Sequence, residues 1–337
     1  MSKETILLYK LIASLIVTLW TEAYLIDIAP EYQRQFRWKT DNRSRFIESV
    51  FLGIPIPSLF TAANKDGTWE LIDGVQRLST LIHFVGGKEV LDKFGMGGPL
   101  KLEGLDILTD FNNKTFESLP KSLSLKFLLR PIKITTLSDK SDLNVRFDLF
   151  ERLNTGGVVL TTQEIRACVY RGPLHDFICD LAQSDDFLNV LNLPPSKLKD
   201  GTPEELVLKF FAYFHNREKF QHSVVDFLND FMSTNMSGFD YKYNRWLFEE
   251  TFKQLREELP EGVKRGNRNT TPVNLFEAVT IGGAVAISEG KSIRGKRVSA
   301  WIDSDNLNRI TSGGGTNTRN KLNSRIEFCA DKFRNAI

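Results

Sequence analysis

The sequence predicts an α+β protein, with a small mixed sheet and helices in its N-terminal part and helices alone in its C-terminal part. Short apolar segments bounded by Gly, Pro, Asn and Asp, which are typical of strands, occur only up to residue 136. Beyond the turn at residues 154–157, apolar residues recur with helical spacing instead. We therefore predict two domains, an α/β domain over residues 1–157 and a helical domain over residues 158–337.

Strands and helices are both predicted in the N-terminal part. Residues 4–20 are apolar nearly all round and predict a packed helix. The turn sequence Asn-Lys-Asp-Gly at residues 64–67 separates two short strands and predicts a hairpin. Glycines at positions 53 and 86 are expected to end helices. The other predicted helices cover residues 43–52, 75–85, 116–129 and 142–153, and the predicted strands cover residues 24–28, 58–62, 68–72 and 132–136.

The C-terminal part shows helical periodicity almost throughout. A loop at residues 312–318 precedes its last helix, which is predicted to begin at Lys321. The other predicted helices cover residues 161–170, 173–183, 203–215, 223–232, 245–259 and 274–287. With 337 residues, of which 41% are hydrophobic, the chain can bury a sizeable core, which excludes disordered, collagen-like and disulfide-scaffold proteins.

Charge is distributed unevenly along the chain. The formal net charge is only +2, yet residues 262–337 contain 13 Lys and Arg against six Asp and Glu. A basic C-terminal part on a mildly acidic body points to nucleic acid, although a solvated basic face has the same composition. The candidates for contacts with the DNA backbone are Lys264, Arg265, Arg268, Lys291, Arg294, Lys296 and Arg297.

Cysteines, histidines and apolar runs bear on compartment and metal content. The three cysteines are an odd number without metal-ligand spacing, which favours reduced thiols and a cytoplasmic location. The apolar run from Leu11 to Trp20 is shorter than the about 20 residues that a bilayer requires, so no membrane partner is expected. The four histidines lack ligand spacing, so no metal site is predicted from them, and no Walker-type phosphate loop is present.

The first candidate site lies between Pro30 and Trp38, just after a predicted strand. Arg34 and Arg37 offer planar forks of donors that suit phosphate, and Tyr32 and Trp38 offer faces for a base. The alternative is a surface turn in which Trp38 is tucked in and the arginines are solvated.

The second candidate site is the junction between the strand that ends at Asp73 and the helix that begins at Val75. The N–H groups and the positive dipole end of a helix N-terminus favour anions. Arg77 falls in the first helical turn, where it opposes the dipole, and a bound phosphate would explain it. Asp73 either caps the helix or holds a magnesium ion or a ribose hydroxyl. The structural alternative is a plain Asp cap beside a solvated arginine.

The third candidate site surrounds the turn after the predicted helix 142–153. Arg152 and Asn154 precede the turn, and Glu164 and Arg166 follow it. A capping box from Thr161 to Glu164 and a C-cap at Asn154 give several of these residues structural roles. Their concentration around one turn nevertheless exceeds what capping requires.

Four motifs in this order resemble the N-terminal domain of GmrSD-type, modification-dependent (type IV) restriction systems, a domain similar to the ParB/sulfiredoxin-like fold. The resemblance extends over about residues 5–335. The motifs are Ile-x-x-Ala-Pro-Glu-Tyr-Gln-Arg-x-Phe-x-Trp from residue 26, Ser-Val-Phe-Leu-Gly-Ile-Pro-Ile-Pro from residue 49, Leu-Ile-Asp-Gly-Val-Gln-Arg-Leu-Ser-Thr-Leu from residue 71, and Phe-Glu-Arg-Leu-Asn-Thr-Gly-Gly-x-x-Leu-Thr-Thr-Gln-Glu-Ile-Arg from residue 150.

This resemblance implies a site for a nucleoside triphosphate (GTP, ATP or CTP) with Mg²⁺ at the family's Asp-Gly-Gln-Gln-Arg hallmark. On this basis Asp73, Gln76 and Arg77 are the candidate catalytic residues. The family's Tyr-Gln-Arg motif is associated with the nucleotide site and with sensing modified DNA, and the later Arg-x-Asn-x-Gly-Gly motif is expected to border the same cleft. The candidate nucleotide-binding residues are Tyr32, Gln33, Arg34, Trp38, Asp73, Gly74, Gln76, Arg77, Arg152 and Asn154.

The chain departs from the family pattern at two points. Val75 stands where the hallmark has its first Gln, so one polar contact is missing and hydrolysis is expected to be weakened more than binding. Many relatives carry a second domain with a His-Asn-His nuclease site, and residues 158–337 supply no such histidine cluster. DNA cleavage is therefore expected of a partner protein rather than of this chain.

The sequence thus predicts a nucleotide-binding, GTP- or ATP-hydrolysing sensor or regulator of a type IV-like anti-phage restriction system. It would act on or near DNA, including modified phage DNA, with a separate nuclease subunit and as a candidate homo-oligomer. One alternative is a non-hydrolysing, nucleotide-switched module of the ParB type that binds DNA or a partner. A further alternative is a metal-dependent endonuclease in which Glu70, Asp73 and Glu151 gather the metal.

Overall fold

The computed structural model describes residues 6–12, 18, 26–27, 38–64, 66–138, 143–153, 160–266, 268–312 and 317–335. The chain divides into two compact units, an N-terminal unit over residues 1–159 and a C-terminal unit over residues 160–337. Strands occur in the described residues of the N-terminal unit. The described residues of the C-terminal unit form only helices and connecting loops. The α+β prediction is confirmed.

The sheet of the N-terminal unit contains five strands in the order β1-β5-β3-β4-β2. Strands β1 and β5 pair antiparallel, as do β3 and β4, whereas β3 pairs parallel with β5 and β2 pairs parallel with β4. The sheet is therefore mixed, as predicted. The strands are β1 (Ile6–Ile12), β2 (Ile26–Asp27), β3 (Leu59–Ala63), β4 (Trp69–Asp73) and β5 (Pro131–Leu137).

The prediction of a helix over residues 4–20 is wrong for Ile6–Ile12, which form a strand. Of the other residues in this range, only Thr18 is described, and it is helical. The seven residues of the strand pair in register with β5, from Ile6 opposite Leu137 to Ile12 opposite Pro131. A short apolar run has no periodicity that separates a buried helix from a buried strand. The hydrogen-bonding partner that decides between them lies more than 100 residues further along the chain.

Within the described residues of the N-terminal unit, five α-helices longer than one residue accompany this sheet. The predicted helix over 116–129 is shorter, because Pro120 separates a 3₁₀ turn (Phe116–Ser118) from the helix that follows. Three phenylalanines, Phe51, Phe84 and Phe127, form the centre of the core, with ring centroids 4.7–6.2 Å apart. The helices are α1 (Thr40–Leu52), α2 (Val75–Val85), α3 (Lys88–Lys93), α4 (Lys121–Leu128) and α5 (Leu143–Leu153).

The C-terminal unit consists of helices α6 to α15. Most of them lie within a few residues of the predicted positions, and the predicted capping box is present, with Thr161 and Glu164 each bonding the other's backbone N–H. The helices are α6 (Thr162–Val169), α7 (Pro173–Leu181), α8 (Asp185–Val190), α9 (Thr202–Asn216), α10 (Val224–Thr234), α11 (Tyr241–Glu258), α12 (Val273–Ser288), α13 (Val298–Trp301), α14 (Asp305–Thr311) and α15 (Arg319–Arg334).

Buried charges join several helices of the C-terminal unit. Arg325 on α15 donates to Glu277 on α12 at 2.5 Å, and both side chains are at most 5% exposed. Lys209 on α9 lies 3.7 Å from Glu277 and 2.9 Å from Glu205. Arg166 on α6 extends the same network, with its Nη1 atom 3.9 Å from Glu205. Sequence analysis placed Arg166 near a candidate site, whereas the structure places it in the core of this unit.

The burial of these groups changes their protonation equilibria. Burial lowers the pKa of Arg166 to about 10, since removal from water disfavours the charged form. Burial also acts to lower the pKa of Lys209, but the Glu277 and Glu205 carboxylates outweigh it and raise that pKa above its ordinary value. Arg166 and Lys209 therefore remain charged at neutral pH.

Cys168, Cys179 and Cys329 are all free thiols. Burial raises the pKa of the Cys329 thiol, so this side chain stays protonated. Among the residues that the structure describes, no helix combines the length and the hydropathy needed to cross a bilayer.

Candidate functional site

The second candidate site is formed where β4 ends and α2 begins. Gly74 is the N-cap of α2 and has φ +105°, a conformation that L side chains rarely adopt. A Cβ atom at this position would lie 2.3 Å from Cδ2 of Leu59 on β3. The backbone conformation therefore favours glycine here, and any larger residue would also displace the buried side chain of Leu59.

The carboxylate of Asp73 pairs with the guanidinium of Arg77 across this junction. Arg77 Nη1 also donates to the carbonyl oxygens of Pro57 at 2.5 Å and Ser58 at 2.8 Å. Asp73 therefore supplies a counter-charge for Arg77 in this state, so the position of Arg77 does not by itself require a phosphate. Of the three roles predicted for Asp73, the helix cap is not observed, because Gly74 occupies the N-cap position.

Gln76 connects α2 to the segment that enters α1. Its Oε1 atom accepts a hydrogen bond from the backbone N–H of Trp38 at 3.1 Å. The half-buried Trp38 ring packs edge-on against Phe46, with centroids 5.7 Å apart. The sequence alternative in which Trp38 is tucked in agrees with this contact, and Gln76 holds the backbone at Trp38, the last residue of the first of the four motifs.

A polar contact that sequence analysis missed lies two turns further along α2. His83 Nδ1 is 2.8 Å from Nη1 of Arg43 on α1, and His83 Nε2 is 2.9 Å from the carbonyl oxygen of Gly98. Since Arg43 and Gly98 supply a donor and an acceptor, the ring is satisfied as neutral imidazole. Burial lowers the pKa of His83 and also that of Arg43. No sequence signal identified this pair, because its partners are 40 residues apart.

The lowered pKa of His83 predicts an acid-sensitive N-terminal unit. The unfolded chain takes up a proton below about pH 6.5, whereas folded His83 resists protonation, so stability falls as the pH falls through that value. We expect the melting temperature to fall between pH 7.5 and pH 5.5, and to fall further in the wild type than in His83→Gln. The amide of the glutamine keeps one donor and one acceptor. His222→Gln is the control, since His222 is exposed, and it should follow the wild type. Equal pH dependence in all three proteins would contradict the assignment.

The remaining predicted nucleotide-site residues occupy different environments. Val75, which replaces the first Gln of the hallmark, is buried, so this position faces the interior of the unit. Arg152 is exposed near the end of α5. Tyr32, Gln33, Arg34 and Asn154 lie outside the described residues.

The acidic cluster required by the endonuclease alternative is not formed. Glu70 is buried on β4, Asp73 is paired with Arg77, and Glu151 is exposed on α5. Within the described parts of the chain, no three His, Cys, Asp or Glu side chains come together as a metal-binding group. Asp73 remains a candidate single carboxylate ligand for Mg²⁺, which commonly uses one or two carboxylates together with substrate phosphates and water.

The predicted DNA-contacting cations belong to two loops of the C-terminal unit. Lys264 pairs with Glu261, and Arg265 donates to the Thr311 hydroxyl and has its pKa lowered by burial. In the other loop, Arg294 pairs with Glu257 and Glu250, and the hydrogen bond from Arg294 to Glu257 raises the Arg294 pKa.

The other predicted cations differ in exposure. Lys296 donates to the carbonyl oxygen of Asn335 and is half-buried. Arg268, Lys291 and Arg297 have exposed side chains. The excess positive charge of this part of the chain is therefore offset locally at Lys264 and Arg294 and most accessible at the exposed positions.

Comparison with known proteins assigns the N-terminal unit to a family. Residues 18–171 match the family model described as "GmrSD restriction endonuclease, N-terminal domain", and this part of the chain belongs to that family. The match contains β2 to β5 and the Asp73–Arg77 junction, and it confirms the resemblance drawn from the four motifs over residues 18–171. The extension of that resemblance to about residue 335 stays a prediction.

The comparisons with solved structures and with curated proteins give no further assignment. A solved structure of a Pnob8-like ParB-N domain is similar over 97% of this chain and 100% of that chain, at 12% identity and a TM-score of 0.24. A score this low carries no argument about the fold. No curated protein matches the chain.

Proposed function

We propose that this chain is a nucleotide-binding sensor or regulator of a type IV-like restriction system, and that its N-terminal unit binds the phosphates of GTP, ATP or CTP. The observation that carries the proposal is the Asp73–Arg77 junction. A glycine N-cap, an arginine in the first helical turn and a partly exposed carboxylate meet there at the start of an 11-residue helix. Membership of the GmrSD N-terminal family supports the restriction role.

Arg77 changes partner when nucleotide binds, in this proposal. Its side chain is 12% exposed and is held by Asp73, which is 34% exposed. A phosphate at the N-terminus of α2 would compete with Asp73 for the guanidinium, because both are anions and Arg binds phosphate with two parallel hydrogen bonds. Asp73, once released, is free to hold Mg²⁺, which when bound neutralises phosphate charge.

Gln76 contributes to the proposed nucleotide site by holding a neighbouring backbone segment in place. Because its side-chain oxygen accepts from the Trp38 backbone, Gln76 fixes where the chain enters α1. Tyr32, Gln33 and Arg34 precede this point by four to six residues, so Gln76 would set the distance of that motif from the phosphates. This role is compatible with binding and does not by itself require hydrolysis.

The DNA-related part of the proposal rests on the exposed cations of the C-terminal unit. Arg268 and Arg297 are offered to a phosphate backbone directly, whereas Lys264 and Arg294 would have to exchange a carboxylate for a phosphate. Strand cleavage is assigned to a separate nuclease subunit.

A second candidate function is a nucleotide-switched module that does not hydrolyse its ligand. Val75 favours it, since a buried valine replaces a polar residue of the hallmark and supplies no group to orient an attacking water. Binding of nucleotide by Arg77 is common to both candidates, and turnover distinguishes them.

Arg77→Ala is expected to weaken nucleotide binding by roughly 10- to 100-fold, the range for loss of a hydrogen bond between charged groups. The measurement is equilibrium binding of, and phosphate release from, GTP, ATP and CTP with Mg²⁺, with and without phage DNA. Arg130→Ala is the matched control, because Arg130 likewise donates to a backbone carbonyl oxygen, that of Phe51 in the last turn of α1, at 2.6 Å. Thermal melting of both variants separates loss of binding from loss of fold.

Turnover in the wild type that Arg77→Ala abolishes and Arg130→Ala retains would support the hydrolysing sensor. Binding without turnover would support the switch module. Absence of binding in the folded wild type, or equal losses in the two variants, would overturn the phosphate site.

A further inference from the structure

We infer that the C-terminal unit carries a docking groove for a basic segment of a partner protein. The groove lies between the outer face of α11 and the start of α8 and has a volume of about 510 Å³. Its lining residues are Ser184, Asp185, Asp186, Trp246, Glu249, Glu250, Lys253 and Arg256.

Trp246 is the aromatic component of this α8–α11 groove. Its side chain is 49% exposed, and Tyr243, one turn before it on α11, is 37% exposed, with ring centroids 5.9 Å apart. Two large aromatic side chains left side by side in solvent are unusual in a surface that has no partner, and Trp and Tyr are enriched at the energetic centres of protein interfaces.

The charge of the lining selects the occupant. Four carboxylates and two cations line the groove. Arg256 is already matched with Asp186 at 2.7 Å, and Glu250 shares Arg294 and Gln254. Asp185 lies exposed at the start of α8, and Glu249 has only a 3.5 Å contact with Arg245. These two carboxylates are the ones most available to an incoming cation.

An arginine or lysine side chain can contact the aromatic ring and the carboxylates of the groove at the same time. A guanidinium stacked on the Trp246 ring gains a cation–π interaction, and carboxylates at its edge accept its N–H groups. Nucleic acid does not fit, since four carboxylates repel its phosphates. The occupant is therefore a protein segment that presents Arg or Lys, and this face is distinct in chemistry from the exposed arginines assigned to DNA. The inference does not depend on the nucleotide site.

The probe is a fluorescein-labelled decapeptide of alternating Arg and Gly, with an alternating Glu and Gly peptide as its counterpart. Fluorescence anisotropy on the full chain is expected to show binding of the basic peptide alone. Trp246→Ala should weaken binding about three- to tenfold, as expected for loss of one cation–π contact at a partly exposed site. The double variant Asp185→Lys, Glu249→Lys should weaken it more than tenfold. Asp230→Lys, at an exposed carboxylate outside the groove, is the charge control and should retain wild-type affinity.

Several outcomes would overturn the inference. One is a failure of the wild type to bind the basic peptide. Another is binding that Trp246→Ala leaves unchanged, since the attraction would then be general electrostatics. A third is wild-type self-association, seen in sedimentation, that Trp246→Ala abolishes, because the occupant would then be a second copy. Loss of duplex DNA binding in Trp246→Ala would likewise assign the groove to nucleic acid.

Discussion

Glu277→Gln is expected to lower the free energy of unfolding of the C-terminal unit by about 3–5 kcal/mol, the usual cost of removing one partner from a buried ion pair. Glu277 lies 2.5 Å from Arg325, whose side chain is 1% exposed, and 3.7 Å from Lys209, whose side chain is 12% exposed. A neutral amide still accepts one hydrogen bond but leaves these two largely buried positive charges with less compensation. Urea unfolding followed by far-ultraviolet circular dichroism measures the loss.

The matched control for this change is Glu289→Gln. Glu289 also pairs with an arginine, Arg334 at 2.7 Å, but at the surface, where the two side chains are 42% and 28% exposed. Exposed pairs contribute at most about 1 kcal/mol, because water and salt replace the lost partner. A loss in Glu277→Gln no larger than that in Glu289→Gln would contradict the view that the buried network holds α9, α12 and α15 together.

Gly282→Ala is expected to destabilise the C-terminal unit by about 1–3 kcal/mol, the range for overpacking a close contact. A Cβ atom at Gly282 would lie 2.6 Å from Cβ of Cys329, 2.8 Å from the backbone nitrogen of Ala330 and 3.0 Å from the carbonyl oxygen of Ile326. Backbone atoms of α15 cannot yield without separating the two helices. The clash therefore outweighs the roughly 1 kcal/mol that alanine gains over glycine in a helix.

Gly283→Ala tests the same gain in helix propensity without the clash. Its Cβ atom would meet only side-chain atoms at ordinary distances, the closest being Ile293 Cδ1 at 3.4 Å. This variant is expected to melt at or slightly above the wild-type temperature, and Gly282→Ala several degrees below it. If both variants melted together, the close approach of α12 and α15 at Gly282 would be wrong.

The Asp73–Arg77 pair also affects how the family hallmark is interpreted. In the state described, the hallmark arginine holds Pro57 and Ser58 at the end of the loop that leads to β3, and the hallmark glycine admits Leu59. The residues that we propose to bind nucleotide therefore also have structural roles. For variants at this junction, every measurement of nucleotide binding needs a measurement of folding beside it.

Helix positions were largely predictable from the sequence. The spacing of apolar residues predicted the bounds of α2 at residues 75–85. The capping box at Thr161 predicted the start of α6 within a residue. Such features depend on neighbours three or four residues apart, which the sequence displays directly. The hairpin of β3 and β4 was predictable for the same reason, since its turn residues lie between its strands.

The candidate site was predictable in position but not in its contacts. The strand-to-helix junction at Asp73 to Arg77 was identified from turn chemistry and from the family motif, and the structure confirms the junction. The pairing of Arg77 with Asp73 and the loop carbonyls, and of Gln76 with Trp38, came only from the structure. Arg43 and His83 carried no signal, because each looks like an ordinary helix residue until the two helices pack.

The sequence by itself determined the α+β class, most helix bounds, the hairpin and the family motifs, because each depends on local spacing or on short ordered patterns. Only the tertiary structure decided that Ile6–Ile12 is a strand, that Arg166 belongs to a buried ionic network and that Trp246 borders an acidic groove. In each case the deciding partner lies far away along the chain. A strand requires a neighbour for its hydrogen bonds and a buried charge requires a counter-charge, and no local pattern specifies either.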